Sequence, residues 1–209
     1  MTAVEAEERA GSPTSPEQVS RGFVLFLLGA VLAAGIFWSW VAEAAKLRDD
    51  VEVTWSRPVT CTGTEVVWRR LDVGEPSGVR AMRLRRSMDC NLPVRLTNNG
   101  RRSVRIDKLR LPFMGPDGGA AVQVEKLEGR RPLPGRIDGV FPMSRSLEPG
   151  ASYDFVIDFS FRAPPKGCTA EGVLWMRGFP QVTVTAMGRS GTRSSDRTIA
   201  FAGTRESSC

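Results

Sequence analysis

Two residue types in this chain are placed to do chemistry, arginine and cysteine. Of the 29 basic side chains 25 are arginine, and the four lysines stand at 46, 108, 126 and 166. Arginine presents a planar fork that grips carboxylate or phosphate through paired hydrogen bonds. In "RAMRLRR" an extended backbone points Met82 and Leu84 one way and Arg83 and Arg85 the other. "PVRLT" and "SVRID" flank an Asn98-Asn99-Gly100-Arg101 turn, and strands paired across it would carry Arg95 and Arg105 on one face. With the first segment in the same sheet, Arg83, Arg85, Arg95 and Arg105 would form a basic stripe, extended by Arg102 and Arg110. Such a stripe suits an anionic lipid headgroup, an anionic envelope polymer or the acidic face of a protein partner. A solvated strand face that uses arginine throughout has the same pattern.

The cysteines at 61, 90, 168 and 209 all follow the most apolar run of the chain. An even number in a strand-rich segment beyond an apolar span points to two disulfides in an oxidising compartment. Four cysteines allow three pairings, and proximity in sequence favours Cys61–Cys90 with Cys168–Cys209. A metal site is not expected, because no C-x-x-C pair and no histidine is present.

The absence of histidine also removes the commonest general base and the base that would activate a thiol. There is no G-x-S-x-G elbow, no P-loop, no G-x-G-x-x-G and no S-x-x-K. Asp154 and Asp158 lie about 13 Å apart along a strand, too far to share acid–base work. The expectation is therefore no enzyme and no cofactor. The alternative, an enzyme with an unrecognised site, would need a cleft with converging polar groups. Nucleic acid is not an expected partner, since aromatics do not interleave with the arginines.

These side chains must be held by strands. In "SYDFVIDFSF" Tyr153, Phe155, Ile157, Phe159 and Phe161 alternate with polar residues, Val156 excepted. That period of two defines a half-buried strand. "VEVTW", "PVRLT" and "VTVTA" alternate likewise. "EVVW", "RAMRLRR", "SVRIDKLRL", "AAVQVEKL", "GVLWM" and "RTIAF" are shorter candidates. Turn chemistry separates them in "TNNG", "GPDGG", "RRPLPG", "LEPG", "APPKG" and "GRSG". About eight to ten short strands at this spacing predict a mainly β, antiparallel β-sandwich. "PVRLTNNGRRSVRI" and "LEPGASYDFVIDF" resemble bacterial immunoglobulin-like or fibronectin-III-like ectodomains. The resemblance implies an immunoglobulin-like sandwich; it implies no activity.

The chain before the sandwich reads as an anchor. Residues 1–20 are polar, rich in Glu, Ala, Ser and Pro, and are expected to be a disordered tail. A transmembrane helix is expected over 21–43, within which Gly22 to Ala42 carry no charge. As a helix those residues span about 31 Å, the thickness of a hydrocarbon core. Arg21 at one end and Trp38 and Trp40 at the other suit the membrane interface. Gly29, Ala33 and Ala30, Ala34 have the small-x-x-x-small spacing that can seat a second helix. A charged stalk is expected over 44–50, and the sandwich domain over 51–209.

Ala42-Glu43-Ala44 fits the small-x-small preference of signal peptidase, so a binding domain released after Ala44 competes with a retained anchor. The apolar run is longer than a cleavable signal needs, and the segment before it is net acidic, which favours retention. Flanking charges lean weakly towards the opposite orientation, but cysteines and a sandwich suit the outer side, and long domains cross regardless of flanking charge. The expected protein is single-pass, with its N-terminus cytoplasmic and its C-terminal domain extracytoplasmic in the cell membrane. Its expected role is binding or assembly, as an accessory subunit of a membrane or cell-envelope complex with a protein partner.

Overall fold

A computed structural model describes residues 16–70 and 78–209. The expected polar tail falls largely outside them; of residues 16–22 only the helical backbone is described, so the expectation for the Arg21 side chain lies outside as well. Helix α1 runs from Pro16 to Asp49, 34 residues. Pro16 opens it, a position where the missing N–H is not needed. Among the described residues α1 is the one helix long and apolar enough to cross a membrane. All its side chains from Phe23 to Trp40 are exposed, Trp38 included.

The chain forms two compact units, residues up to Glu43 and residues Ala44 to Cys209. The expected charged stalk is therefore corrected. Residues 44–49 are the last turns of α1 and belong to the second unit. Ala44 and Leu47 are three apart and share a helix face, and both are buried, Leu47 within the main core. The charged side chains hold on to the strands. Arg193 Nη1 donates to Asp49 Oδ1 at 2.8 Å and Arg48 Nη1 to the Arg189 carbonyl at 3.3 Å.

Thirteen strands among the described residues, numbered in chain order, make three sheets. In the first, β1 (Val51–Trp55) and β2 (Thr60–Thr62) lie end to end along one edge of β5 (Asp89–Asn98). β9 (Ser152–Phe161) takes the other edge and β7 (Val122–Leu127) follows it. In the second sheet the order is β12 (Arg189–Ser194), β11 (Gln181–Ala186), β6 (Val104–Leu111), β8 (Gly139–Leu147). In the third it is β10 (Val173–Arg177), β13 (Thr198–Ala202), β4 (Gly78–Arg83), β3 (Val66–Arg70). All pairings are antiparallel except β13 with β4, which is parallel. The fold is mainly β, a sandwich of antiparallel sheets after one apolar helix.

One core joins the three sheets. Leu92, Val94, Leu96, Phe155, Ile157 and Phe159 enter it from the first sheet, Ile106, Leu109, Val182 and Val184 from the second. Met82, Ile199, Phe201 and Met176 enter from the third. Phe159 meets Phe201 edge-on, with ring centroids 5.8 Å apart. Cys61 and Cys90 face each other directly in the β2–β5 ladder, with Cα atoms 4.1 Å apart, and are bonded. Cys168 and Cys209 form the second disulfide, which ties the segment after β9 to the chain beyond β13. Both favoured pairings are thus present, and each closed loop is worth roughly 3–4 kcal/mol in the chain-entropy model.

Pro93 stands in the middle of β5, where proline normally breaks a ladder. Its carbonyl accepts from Ser56 N at 3.0 Å. A strand residue's N and O point to the same side, so the Pro93 nitrogen faces the interval between β1 and β2, where no donor is required.

The hairpin expected across Asn98-Asn99-Gly100-Arg101 does not form: β5 and β6 belong to different sheets. Asn98 is the reason. Its fully buried side chain donates from Nδ2 to the carbonyls of Arg102 and Leu147, both at 2.9 Å. Its Oδ1 accepts from Gly100 N at 3.0 Å. The backbone adds Asn98 N to Ala151 O at 3.0 Å and Gly150 N to Asn98 O at 2.8 Å. Gly150 sits at φ 73°, a conformation glycine adopts without strain. This cluster turns the chain from the first sheet into the second and clasps the Leu-Glu-Pro-Gly turn before β9. Replacing Asn98 with alanine strands buried backbone partners and is expected to cost about 2–4 kcal/mol. The urea midpoint of the full chain in detergent measures it.

Candidate functional site

The four arginines of the expected stripe lie in or beside three different sheets. Arg83 ends β4 and Arg85 follows it, Arg95 is in β5, and Arg105 is in β6. The structure brings together only the first two, both at Glu65: Arg83 Nη1 is 3.0 Å and Arg85 Nη2 3.5 Å from its Oε1. Arg95 forks onto Asp154, Nε to Oδ1 at 2.8 Å and Nη2 to Oδ2 at 3.0 Å. Arg105 Nε is 2.6 Å from Asp107 Oδ1. Of the two extensions, Arg110 Nε is 2.6 Å from Asp138 Oδ2, and Arg102 gives its carbonyl to Asn98. The single stripe is not formed, because strands that neighbour each other in sequence enter different sheets and each guanidinium of the four finds a carboxylate.

A different surface collects several guanidiniums. The four strands of the third sheet contain five arginines, at 69, 70, 80, 83 and 177, and no aspartate or glutamate. Among the described residues Arg69, Arg70 and Arg80 have no carboxylate partner. The register sets Trp68 opposite Arg80, Arg69 opposite Val79 and Arg70 opposite Gly78. Trp68 is 70 % exposed and Val66 44 %.

Alternation puts Val66, Trp68, Arg70, Arg80 and Met82 on one face of the sheet. Near β13 that face is covered, with Met82 and Ile199 in the core. Towards β3 it runs out over open space. A cleft of about 400 Å³ results between this overhang and the link from β1 to β2. Trp55, Pro58 and Val59 wall it on one side, Val66, Arg80, Met82 and Ile199 on the other, with Arg197 also lining it. Trp55 Nε1 donates to the Phe179 carbonyl at 2.7 Å, which fixes that wall. The opposite face is apolar too: Ala81, Ala200 and Ala202 are buried beneath Val67, Val79, Val173 and Trp175.

An exposed indole, apolar walls and guanidiniums with no carboxylate partner among the described residues share this surface, a composition enriched in protein interfaces. Nothing in it offers acid–base chemistry near neutrality. Among the described residues no cluster of His, Cys, Asp or Glu could hold a metal. Elsewhere, burial pushes the Tyr153 phenol up to about 12, with Glu128 adding to the rise. Arg162 is 5 % exposed and donates to the carbonyls of Gly115 and Gly118 and to Gln123 Oε1, bracing the loop before β7. The pattern of "EVVW" marks a strand, and that strand continues through Arg69 and Arg70. The signal was a Trp-Arg-Arg run on a strand with no acidic residue in it.

Fold and surface define a β-sandwich protein that follows one membrane-length helix and carries an exposed sheet rich in arginine and apolar side chains. No protein-family model matches the chain, and no curated protein matches it.

The Arg95–Asp154 fork has a measurable consequence. The hydrogen bonds and charge of Arg95 hold the Asp154 carboxyl below the ordinary carboxylate value. A depressed folded-state pKa contributes stability that is present above the unfolded value and lost as pH falls through the folded one. Both groups are exposed, so the contribution is small. Arg95→Gln is expected to move the Asp154 titration, followed by carboxyl NMR, up to the ordinary range. An unmoved titration would contradict the pairing.

Proposed function

We propose that this is a membrane-anchored, extracytoplasmic binding or assembly protein, an accessory subunit of a membrane or cell-envelope complex. α1 is its single span, with the N-terminus cytoplasmic and the sandwich on the outer side. The observation that carries the reading is the third sheet, an open apolar surface whose four strands hold five arginines and no carboxylate. A protein partner with an acidic, apolar face complements it. A purely anionic lipid or polymer would use the arginines and leave Trp68 and the cleft unused.

The sandwich is immunoglobulin-like on this reading. The order β1-β5-β9-β7 follows the A-B-E-D sheet of that fold, and β12-β11-β6 its G-F-C sheet. It differs in that β7 precedes β8 in the chain, and in that the Cys61–Cys90 disulfide lies within one sheet. Retention of the anchor is supported by the helix running unbroken through Ala42-Glu43-Ala44, with Ala44 buried.

Gentle detergent extraction of the full chain is expected to recover one partner at fixed stoichiometry. The extracted chain should have an intact mass that includes the residues before Ala45. Trp68→Ser with Arg80→Ser should lower recovery at least tenfold without shifting the urea midpoint by more than a few tenths molar. A monodisperse monomer, or recovery untouched by the double variant, would sink the proposal.

A further inference from the structure

The outer edge of the third sheet has a specific unfilled geometry. β3 ends the sheet order, and among the described residues no strand pairs its far side. Arg83 N donates to the Glu65 carbonyl at 3.1 Å, so Glu65 and Arg83 are a hydrogen-bonded opposed pair. Bonded and non-bonded pairs alternate along an antiparallel ladder. Val67 with Ala81 and Arg69 with Val79 are then bonded, while Val66, Trp68 and Arg70 turn N–H and C=O outwards. Proteins commonly blunt such an edge with proline, lysine, a bulge or a covering element. The five residues Val-Val-Trp-Arg-Arg carry no proline or lysine, and their register with β4 has no bulge.

We propose that this edge receives an extended acidic and apolar segment of a partner protein by strand addition; the inference rests on the binding role above and names its partner chemistry. Three features converge on that occupant. The three outward N–H and three outward C=O groups match a guest strand spaced 4.7–4.9 Å away. A guest residue opposite Val66 or Trp68 lies on the cleft side of the sheet and is apolar. Guest residues opposite Arg69 and Arg70 are carboxylates, because those guanidiniums have no acidic partner among the described residues. A phosphate-bearing headgroup would satisfy the guanidiniums but leave the backbone ladder open, so it fits less of the site.

The test uses the full chain in phosphatidylcholine nanodiscs. The probe is a capped heptapeptide that sets a Val-Thr-Val segment beside an Asp-Asp pair, so that valines can face Val66 and Trp68 while the aspartates face Arg69 and Arg70. On saturation, amide exchange at Val66, Trp68 and Arg70 is expected to slow at least tenfold, while Val67 and Arg69, already bonded to β4, do not change. The same peptide N-methylated along one backbone edge, and a lysine-for-aspartate version, should each bind at least tenfold more weakly. Trp68→Pro removes an outward N–H that β4 does not use, and should weaken binding about tenfold beyond Trp68→Ala. Uniform or absent slowing in the wild-type chain, or equal binding of the N-methylated peptide, would overturn strand addition. Phosphatidylglycerol vesicles that protect the same three amides without peptide would also overturn it, in favour of a lipid ligand. If the peptide fails while the partner still co-purifies and is lost in the Trp68→Ser, Arg80→Ser variant, the binding role stands and only the mode is wrong.

Discussion

The architecture turns on one buried amide. Asn98 spends its side chain on two carbonyls and one backbone N–H, all inside the fold. A buried amide is costly unless it is satisfied, and here it is satisfied by groups from two separate turns. The satisfied arrangement requires the chain to leave β5 for a second layer and not to fold back beside it. Two facing layers then have an interior to fill, and Leu96, Ile106 and Phe155 fill it. With a simple hairpin at this point there would have been one wide sheet and a shared arginine face.

The third sheet is built on different terms. Its strands come from three distant stretches, one between β2 and β5, one after β9 and one near the end of the chain. Only its β13 side rests on the common core, through Phe201, Ile199 and Met176. Among the described residues β3 pairs with β4 alone, and one of its faces borders the cleft. Its stability is therefore borrowed through one ladder. Such a margin can tolerate apolar exposure and unpaired charge that a central sheet could not.

Much of this was legible where the rule is local. The alternation of "SYDFVIDFSF" gave β9 its buried Phe155, Ile157 and Phe159 and its exposed Val156. The uncharged run gave the helix, and proximity gave both disulfides. β12, "RSGTRS", has no apolar face and reads as part of a turn; it is a strand only because β11 lends it a ladder. β8 was passed over because Pro142 and Ser144 break its alternation. The stalk failed because Ala44 and Leu47 look unremarkable among charges until a sheet lies against them. The stripe failed for a related reason. Which face a residue takes is set by its neighbours, but which sheet it joins, and which carboxylate it meets, is set from afar, as when Asp154 reaches Arg95 across 59 positions.

β13 is the last of the thirteen strands to be made, yet it sits at the centre of the third sheet, between β10 and β4. β4, laid down far earlier, has its inner neighbour missing until that moment, and β3 hangs from β4. The overhang and its cleft therefore take shape only when synthesis has run past Ala202. A chain that stops before Thr198 lacks the strand between β10 and β4, and with it Ile199 and Ala200, which line the cleft.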